Sequence, residues 1–510
     1  MLSLKELEPE KEKPLELKDA QTLLSNLKQL RQEVYQKGQE TFTRWQPLLE
    51  RQSFRPSALN LAHYLALREH DLRVLQTELM PWGLSSLGHS EARVLPNLDA
   101  VIATLSIICG EKVKEVKYPT LTTFFGGELM LTQNVTELFG GQRSSRRIRI
   151  MVTFPTEAAH DYPMVKELLQ RGMNCARINC AHDTATEWEA MIENLRRAEV
   201  ETGFNCKVLM DLGGPKARTG QIISPKSKKR LYFGEIMLLT RTMQPKRSKA
   251  YRFQAGCTLP EIFDKVQVGA TVWIDDGKLK AQVSQVLPEG IELRITQTRP
   301  KGFRLKPDKG LNFPDTVIDL NPLTNKDYSD LNFVATHANI VGYSFVQKVG
   351  DLDLLQKALE ERLGEHSHKI AIIAKIETQQ AVHNLPELIV AAAGKHPFGV
   401  MIARGDLAVE IGYERLAEIQ EEILWLCEAA HIPVVWATQV LENLVSTGTP
   451  SRAEMTDAAM AERAECVMLN KGPFVNQAIT ILDDVLSRMQ EHQSKKTPQL
   501  RALQVWQKQE

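Results

Sequence analysis

The chain has 510 residues, of which 43% are apolar and 25% are charged, with 63 basic and 63 acidic side chains. This composition predicts an ordinary globular protein of several domains with a large core. Because the charges balance, no global field recruits nucleic acid or an anionic membrane, so we expect neither as a partner.

Neither export nor membrane insertion is indicated by the sequence. The first 14 residues alternate charges without an apolar signal region, and no uncharged run is long enough to span a membrane. The seven cysteines are scattered and form no CxxC pair, which is typical of reduced thiols. We therefore expect a cytoplasmic protein.

The N-terminal part of the chain has a helical pattern. Apolar residues recur at spacings of three and four in residues 19–42, 57–80 and 90–109, so residues 1–126 are predicted to form a helical domain. Residues 127–145 are predicted to be a glycine-rich linker, with FFGGELM and FGGQRSSRR as the clearest breaks. The composition of this part indicates no particular chemistry.

After the linker, short β-branched runs alternate with helical stretches. The strand-like runs are RIRIMVTF, NCARINCA, CKVLMDLG, NIVGYSFV, KIAIIAKIE, FGVMIARGD, PVVWATQ and CVMLNKG. Eight strands in alternation with helices predict an α/β fold, a (β/α)₈ TIM barrel built from residues 146–220 and 304–490.

One long insertion interrupts this alternation after the third strand. Residues 221–303 contain short alternating segments separated by Gly and Pro, which predicts a small inserted β domain, a β-barrel or a sandwich. Its position above the barrel rim suits a lid that excludes water. Residues 491–510 are predicted to be a tail with a polar hinge and one short amphipathic helix.

Polar residues cluster at the C-terminal ends of the predicted strands, where TIM barrels carry their active sites. These residues are Arg177, Asn179, Asp211, Ser344, Lys375, Glu377, Asp406 and Thr438. Lys375 and Glu377 leave one strand on the same face, and Asp406 follows the next strand. Two carboxylates with room for substrate oxygens suit Mg²⁺, and the alternative is a structural ion pair between Lys375 and Glu377.

Seven motifs in fixed order carry a resemblance to a known family. They are NCARINCAHD, MDLGGPKARTG, KGLNFP, VGYSFV, IAKIE, MIARGD and WATQVLENL. In this order, with the insertion at the expected place, the chain resembles pyruvate kinase from about residue 146 to residue 489. The resemblance implies phosphoryl transfer from phosphoenolpyruvate to ADP with Mg²⁺, or Mn²⁺ in its place.

The resemblance also implies roles for individual residues. Lys375, Arg177, Arg218 and Thr438 are expected in catalysis, and Glu377 and Asp406 as metal ligands. Ala403, Arg404, Gly405, Ser344 and Phe345 are expected to bind the substrate, and Lys309 and His182 the nucleotide. Asp276, in the lid, is expected to reach Arg177 as a latch, although its DDG context also predicts a β-turn.

The chain departs from the family at the site that holds K⁺ in many relatives. Asn179 and Asp211 remain, but Ala181 and Leu212 replace a Ser and a Thr, and Lys216 replaces a Glu. K⁺-independent relatives carry a Lys and a Leu at these positions, and an ammonium can supply the charge of the ion. We therefore predict no K⁺ requirement.

Three further departures concern other parts of the family pattern. Strand eight ends in NKGPF, which leaves the contacts of that loop open, and His160 stands near a family arginine of the nucleotide site. The C-terminal effector domain of the family is not expected.

Two alternatives stay open: another Mg²⁺-dependent barrel enzyme of the lyase or aldolase type that acts on phosphoenolpyruvate or pyruvate, and a non-catalytic relative. We expect a homo-oligomer.

Overall fold

The computed structural model of the chain describes residues 16–84, 86–143, 146–225, 229–318 and 320–498. The chain forms two compact units: one contains the residues up to Gln133 together with Glu428–His431, and the other contains Asn134–Cys427 and the residues from Ile432 onward. In the described ranges, every helix is too short or too polar to cross a bilayer.

The α-helices of the described ranges are numbered in chain order. They are α1 (Leu17–Trp45), α2 (Arg55–Arg68), α3 (Arg73–Leu79), α4 (Val94–Ile108), α5 (Leu121–Phe139), α6 (Tyr162–Gln170), α7 (Ala185–Thr202), α8 (Asn325–His337), α9 (Val349–Leu363), α10 (Gln379–His383), α11 (Leu385–Ala393), α12 (Arg404–Ile411), α13 (Tyr413–Ala429), α14 (Glu442–Thr447), α15 (Arg452–Met460) and α16 (Val475–Met489).

The first unit is helical, as predicted, but one detail of the prediction was wrong. The stretch 57–80 forms two helices, α2 and α3, and between them the carboxylate of Asp71 accepts a hydrogen bond from the backbone N–H of Arg73. The FFGGELM segment is no linker, since it lies inside α5. Gly127 there is a packing glycine: an added Cβ would lie 2.0 Å from the carbonyl oxygen of Ala92.

The second unit contains the closed barrel of eight parallel strands that the sequence predicts. Its strands are β1 (Arg149–Thr153), β2 (Cys175–Asn179), β3 (Lys207–Asp211), β11 (Ile340–Tyr343), β12 (Ala371–Ile376), β13 (Phe398–Ala403), β14 (Val434–Ala437) and β15 (Cys466–Leu469), in the order β1-β15-β14-β13-β12-β11-β3-β2. Most of their residues are buried, because helices cover the outside and side chains fill the inside.

The insertion forms a second sheet with its own apolar core. Its strands are β4 (Thr219–Ile223), β5 (Ile236–Thr240), β6 (Gln254–Cys257), β7 (Thr271–Ile274), β8 (Leu279–Leu287), β9 (Gly290–Gln297) and β10 (Leu311–Asn312), in the order β10-β7-β8-β9-β5-β6-β4. Backbone hydrogen bonds join Ala217 to Leu311 and Thr219 to Lys309, so the two end strands also meet. The insertion is thus a seven-stranded sheet whose first and last segments lie side by side, and its description as a small β-barrel stays a prediction.

After α16 the chain forms a two-stranded ribbon, β16 (Gln493–Ser494) and β17 (Thr497–Pro498). The short amphipathic helix predicted for the tail falls on residues 499–510, which lie outside the described residues. All seven cysteines are free thiols, and all of them except Cys109 are buried.

Candidate active site

The polar residues singled out from the sequence lie at or just after the C-terminal ends of barrel strands. Arg177 and Asn179 belong to β2, Asp211 ends β3, and Lys375 lies one residue before the end of β12. Parallel strands of one barrel end at one rim, so a single register of the sheet brings these side chains together. These four residues therefore lie at one rim of the barrel, and their assignment to an active site stays a prediction.

Lys375 lies at the centre of a buried polar network. Its ammonium donates a hydrogen bond to Oγ of Ser344 at 2.8 Å and lies 3.2 Å from Oε1 of Glu377. The same nitrogen is 3.6 Å from Oδ2 of Asp211. The ion pair with Glu377 that formed the structural alternative is present, but it is one contact of a larger network that extends over three strands.

The electrostatics of this network reflect burial opposed by close charges. Burial alone would lower the pKa of Lys375, but the carboxylates of Asp211 and Glu377 outweigh it and raise that pKa. Burial raises the pKa of Glu377, and the nearby carboxylate of Asp406 adds to this shift. The pKa of Asp211 is lowered, because the cations of Lys375 and Arg177 outweigh the effect of burial. The lysine is therefore held as a cation at neutral pH.

Asp406 lies in the first turn of α12 and is paired with Lys216. The ammonium of Lys216 is 2.7 Å from Oδ1 of Asp406, and it keeps the pKa of this aspartate below the usual value although burial opposes the shift. The sequence analysis grouped Lys216 with Asn179 and Asp211. The ion pairs of Lys216 are instead formed with Asp406 and, at 3.8 Å, with Asp276 of the lid.

Arg177 is held by Asp211 rather than by the lid. Its Nε donates to Oδ2 of Asp211 at 2.9 Å, and a terminal nitrogen donates to Oγ1 of Thr153 at 3.1 Å. The predicted latch between Asp276 and Arg177 is therefore wrong in this conformation. Asp276 lies near Lys216 because it occupies the β-turn that the DDG context predicted, with backbone φ of 51° and a hydrogen bond from Lys278 N–H to the Asp275 carbonyl.

The loop after β13 is tied to the loop after β14. The N–H of Gly405 donates to Oγ1 of Thr438 at 2.8 Å. Arg404 donates to the carbonyl oxygens of Ala437 and Thr438 and to the carboxylate of Asp457, with its guanidinium 4.7 Å from the ring centre of Trp436. Arg404 therefore positions these two loops, and Ala403 precedes it as the last residue of β13.

Ser344 and Phe345 shape the loop after β11. The hydroxyl of Ser344 donates to the carbonyl of Leu212 at 2.8 Å and accepts from Lys375. Phe345 adopts a positive φ of 57°, and its N–H donates to Oε2 of Glu377 at 2.7 Å. Both residues thus orient the ionised side chains of the site, and the strained backbone at Phe345 is held by the bond to Glu377.

The residues expected to contact the nucleotide and phosphate are more exposed. The ammonium of Lys309 lies 3.4 Å from Oδ1 of Asp275, and Arg218 donates to the carbonyl and carboxylate of Asp308 at 3.4 Å. His182 is exposed on the loop after β2, and its ring makes no hydrogen bond within the described part of the chain. These long contacts leave Lys309 and Arg218 able to exchange their protein partners for a ligand.

Two further polar residues belong to this site, although the sequence analysis did not single them out. Asn312 Nδ2 donates to Oδ1 of Asp406 at 3.3 Å and to Oε1 of Glu410 at 3.4 Å. Burial raises the pKa of Glu410 to about 7. A signal was present, since Asn312 lies in the KGLNFP motif and Glu410 follows Asp406 by one helical turn.

The donor set of this rim fits a hard divalent cation. Glu377 and Asp406 offer carboxylate oxygens, and burial together with Asp406 raises the pKa of Glu377, so a positive charge placed there would be favoured. Among the described residues, no three acidic, His or Cys side chains form a cluster of their own. A two-carboxylate site that takes other oxygens from a substrate suits Mg²⁺ better than a full protein cage.

Comparisons with known proteins point to the same part of the chain. A family model described as "Pyruvate kinase, barrel domain" matches residues 145–475. The chain is similar to pyruvate kinase of Dictyostelium discoideum, at 31% identity over 346 residues, which cover 66% of this chain and 65% of that protein.

Two other relatives have comparable similarity. "Pyruvate kinase PKLR" of Homo sapiens is 34% identical over 337 residues, 63% of this chain and 56% of that protein. The cytosolic isozyme of pyruvate kinase of Nicotiana tabacum is 33% identical over 319 residues, 61% of this chain and 59% of that protein. The chain thus spans between about half and two thirds of the length of these relatives.

Proposed function

Because the chain belongs to the pyruvate kinase family, we propose that it transfers the phosphoryl group of phosphoenolpyruvate to ADP, which gives pyruvate and ATP. The observation that carries this proposal is the buried Lys375 network at the barrel rim, with Glu377 on the same strand and Asp406 after the next. Phosphoryl transfer depends mainly on positioned charges around the moving group, and this network supplies them.

Glu377 and Asp406 would hold the divalent ion, Mg²⁺ or Mn²⁺. When bound, the ion supplies positive charge that polarises the substrate oxygens. Lys375 adds a fixed cation whose position is set by Ser344 and Glu377. That ammonium stabilises negative charge first on the transferred phosphoryl group and then on the enolate that remains.

The arginines of the site are suited to bind the phosphate. A guanidinium offers a planar pair of donors that matches two phosphate oxygens, and the contact with Asp211 keeps Arg177 oriented at the rim. Arg218 lies at the entry to the lid, where its long contacts to Asp308 leave donors available. We assign the phosphate to these two side chains.

Thr438 is assigned to protonation of the enolate. Its hydroxyl oxygen accepts the N–H of Gly405, which fixes the side chain beside the loop that binds the substrate carboxylate. The hydroxyl proton then serves a relay, through water, toward the enolate carbon. The backbone of Ala403, Arg404 and Gly405, with Ser344 and Phe345 opposite, would surround the remainder of the substrate.

The nucleotide would lie toward Lys309 and His182, below the sheet of the insertion. The lid excludes water from the transferred phosphoryl group, which prevents hydrolysis. Lys216 supplies a fixed positive charge next to Asp406, so we propose that turnover needs no K⁺. We further propose a cytoplasmic location, and a homo-oligomer as the functional state.

A coupled assay tests this proposal with the purified full chain, phosphoenolpyruvate and ADP. We expect pyruvate formation that requires Mg²⁺ or Mn²⁺ and proceeds without K⁺. Lys375→Met should reduce turnover by about 1000-fold or more, since it removes charge stabilisation from the transition state. Lys357→Met, on the exposed surface of α9, is the matched control. Absence of pyruvate with every nucleoside diphosphate would refute the function.

A further inference from the structure

A cavity of about 440 Å³ lies beside the proposed active site. We call it the hinge cavity, because residues 215–217, 311–314 and 316–318, which connect the barrel to the lid, are part of its lining. Phe345, Gln347 and residues 378–380 also line it, with His383 and Glu410. Its volume is in the range of small-molecule binding sites. Lys375, Glu377, Arg177 and Thr438 are not part of its lining, whereas Phe345, which we place against the substrate, is, so the cavity adjoins the proposed substrate position.

Asn312 has a buried acceptor on this cavity. Its side-chain nitrogen faces two carboxylates, Asp406 and Glu410, and this fixes the amide orientation because the oxygen would be repelled there. The oxygen Oδ1 is consequently turned away from the carboxylates, and it has no hydrogen-bond partner among the described residues, although only 6% of Asn312 is exposed. Such an acceptor favours a ligand that brings a donor.

A second buried oxygen without a partner belongs to another residue of the same lining, and it can accept a hydrogen bond. Oγ1 of Thr316 is buried and lacks a hydrogen-bond partner within the described part of the chain. The carboxyl group of Glu410 lies on the lining too, within hydrogen-bond distance of the Asn312 amide nitrogen. Lys216 also lines the cavity, but its ammonium already donates to Oδ1 of Asp406 at 2.7 Å. The lining also carries the side chains of Gln347, Gln379, Gln380 and His383, but the buried oxygens without a partner and the Glu410 carboxyl favour a ligand that donates hydrogen bonds.

The rest of the lining is mostly apolar. Leu311, Phe313, Val317, Ile318 and Leu320 contribute hydrophobic surface, which favours a ligand with an apolar body. We propose that the hinge cavity binds a small organic amine, with its ammonium group against Asn312, Thr316 and Glu410 and its apolar body along the hydrophobic wall. A carboxylate in place of the ammonium would be repelled by the acceptors.

From this location a bound ligand can influence the active site. Lys216 and Asn312 both line the cavity and both contact Asp406, a proposed metal ligand. An amine that engages Asn312 therefore acts on the residues that hold Asp406 in place. Binding itself requires no turnover, so a failure of this inference is distinguishable from a failure of the proposed function.

Calorimetric titration of the full chain with tryptamine tests the inference. Tryptamine carries an ammonium group on an aromatic body, and indole-3-propionate replaces that ammonium with a carboxylate. We expect saturable binding of tryptamine with one site per chain and at least tenfold weaker binding of indole-3-propionate. No saturable binding of tryptamine, or equal binding of the two compounds, would overturn the proposal.

Two variants locate the site. Gln380→Trp replaces an exposed side chain of the lining with a bulky one and should prevent binding. Thr316→Val should weaken tryptamine roughly tenfold, because it removes a hydrogen bond to a charged donor. Thr296→Val is the matched control, since its hydroxyl is also buried without a described partner but lies outside the cavity lining.

A loss of stability in the variants can also be distinguished from a loss of ligand binding. Thr316→Val replaces an unpartnered buried hydroxyl with a methyl group, so the free protein should be as stable as the wild type or more so. Reduced affinity at unchanged stability supports the assignment. Unchanged tryptamine affinity in both Gln380→Trp and Thr316→Val would place the amine elsewhere and contradict it.

Discussion

The ammonium nitrogen of Lys216 lies 2.7 Å from Oδ1 of Asp406 and 3.8 Å from Oδ1 of Asp276. One cation thus lies between an acidic side chain of the barrel rim and an acidic side chain of the lid. Both Lys216 and Asp406 are largely buried, so water screens this contact only weakly. The charge of Lys216 therefore matters for any cation that approaches Asp406.

Lys216→Gln should make turnover dependent on K⁺. The substitution removes a fixed positive charge from the site, which should lower turnover about 100-fold in K⁺-free buffer, and added K⁺ should restore much of it. Initial rates with and without K⁺ measure this effect. Lys278→Gln, in the lid turn, is the control and should behave as the wild type. Strong activation of the wild type by K⁺ would contradict the prediction.

Asp406→Asn should weaken divalent-cation binding. Loss of one of two carboxylates should raise the dissociation constant of Mn²⁺ by more than about 100-fold, since even outer partners of metal ligands contribute 10–100-fold. Electron paramagnetic resonance of free Mn²⁺ in the presence of phosphoenolpyruvate gives the constant. Asp353→Asn, on the exposed surface of α9, serves as the control. Equal Mn²⁺ affinity of both variants would exclude Asp406 as a ligand.

Gly405→Ala should impair catalysis but not folding. A Cβ at this position would lie 3.6 Å from Oγ1 of Thr438, which is ordinary van der Waals contact, and Ala is the better helix former. The free energy of unfolding should be unchanged or slightly higher. A methyl group facing the substrate should displace it and lower kcat/KM about 100-fold. Denaturant unfolding and steady-state kinetics on one preparation separate the two effects, and a loss of stability would show that our explanation of the glycine is wrong.

The first unit should lose stability on mild acidification because of His431. Its ring contacts Oγ of Ser57 at 2.8 Å and the carbonyl of Ala92 at 3.1 Å, and burial lowers its pKa from 6.5 to about 4. Between these two values the unfolded chain binds a proton that the folded chain does not, so stability falls as pH decreases. The loss from pH 7 to pH 5 should be about 2 kcal/mol.

His431→Asn removes this titration and suits the positive φ of 54° at this position. Urea unfolding at pH 7, 6 and 5 should give a smaller decrease for the variant than for the wild type. His337→Asn provides a comparison at a part-buried histidine of α8. Parallel pH dependence of wild type and His431→Asn would rule out the assignment.

The barrel could be predicted from sequence because each strand carries its own signal. Runs such as KIAIIAKIE combine β-branched residues with charged ends, and strand ends of a parallel barrel share one rim. The sequence therefore predicts that Lys375, Glu377 and Asp211 lie close together, as they do in the structure. The family motifs supplied the roles. The burial of the strands and their backbone pairing determine where these side chains lie relative to one another.

Other features depend on contacts that no local pattern contains. The two adjacent glycines Gly126 and Gly127 predict a break between helices, but both lie inside α5. Gly127 packs against the Ala92 carbonyl, and this tertiary contact outweighs the low helix propensity of glycine. The ion-pair partner of Asp276 depends on the direction of the lid turn, which the sequence does not show. The sequence predicts Arg177 as this partner, whereas in the structure it is Lys216. Long-range ion pairs of this kind require the folded coordinates.

The paired entry and exit of the insertion have a mechanical consequence. Residues 217–219 and 308–311 run side by side and share backbone hydrogen bonds, so neither connection can swing without the other. Two neighbouring connections paired in this way restrict the insertion to movements that displace both of them together. The whole insertion could therefore be deleted by cutting both connections at this point. The two remaining ends would be about one strand spacing apart, about 5 Å, and could be joined directly.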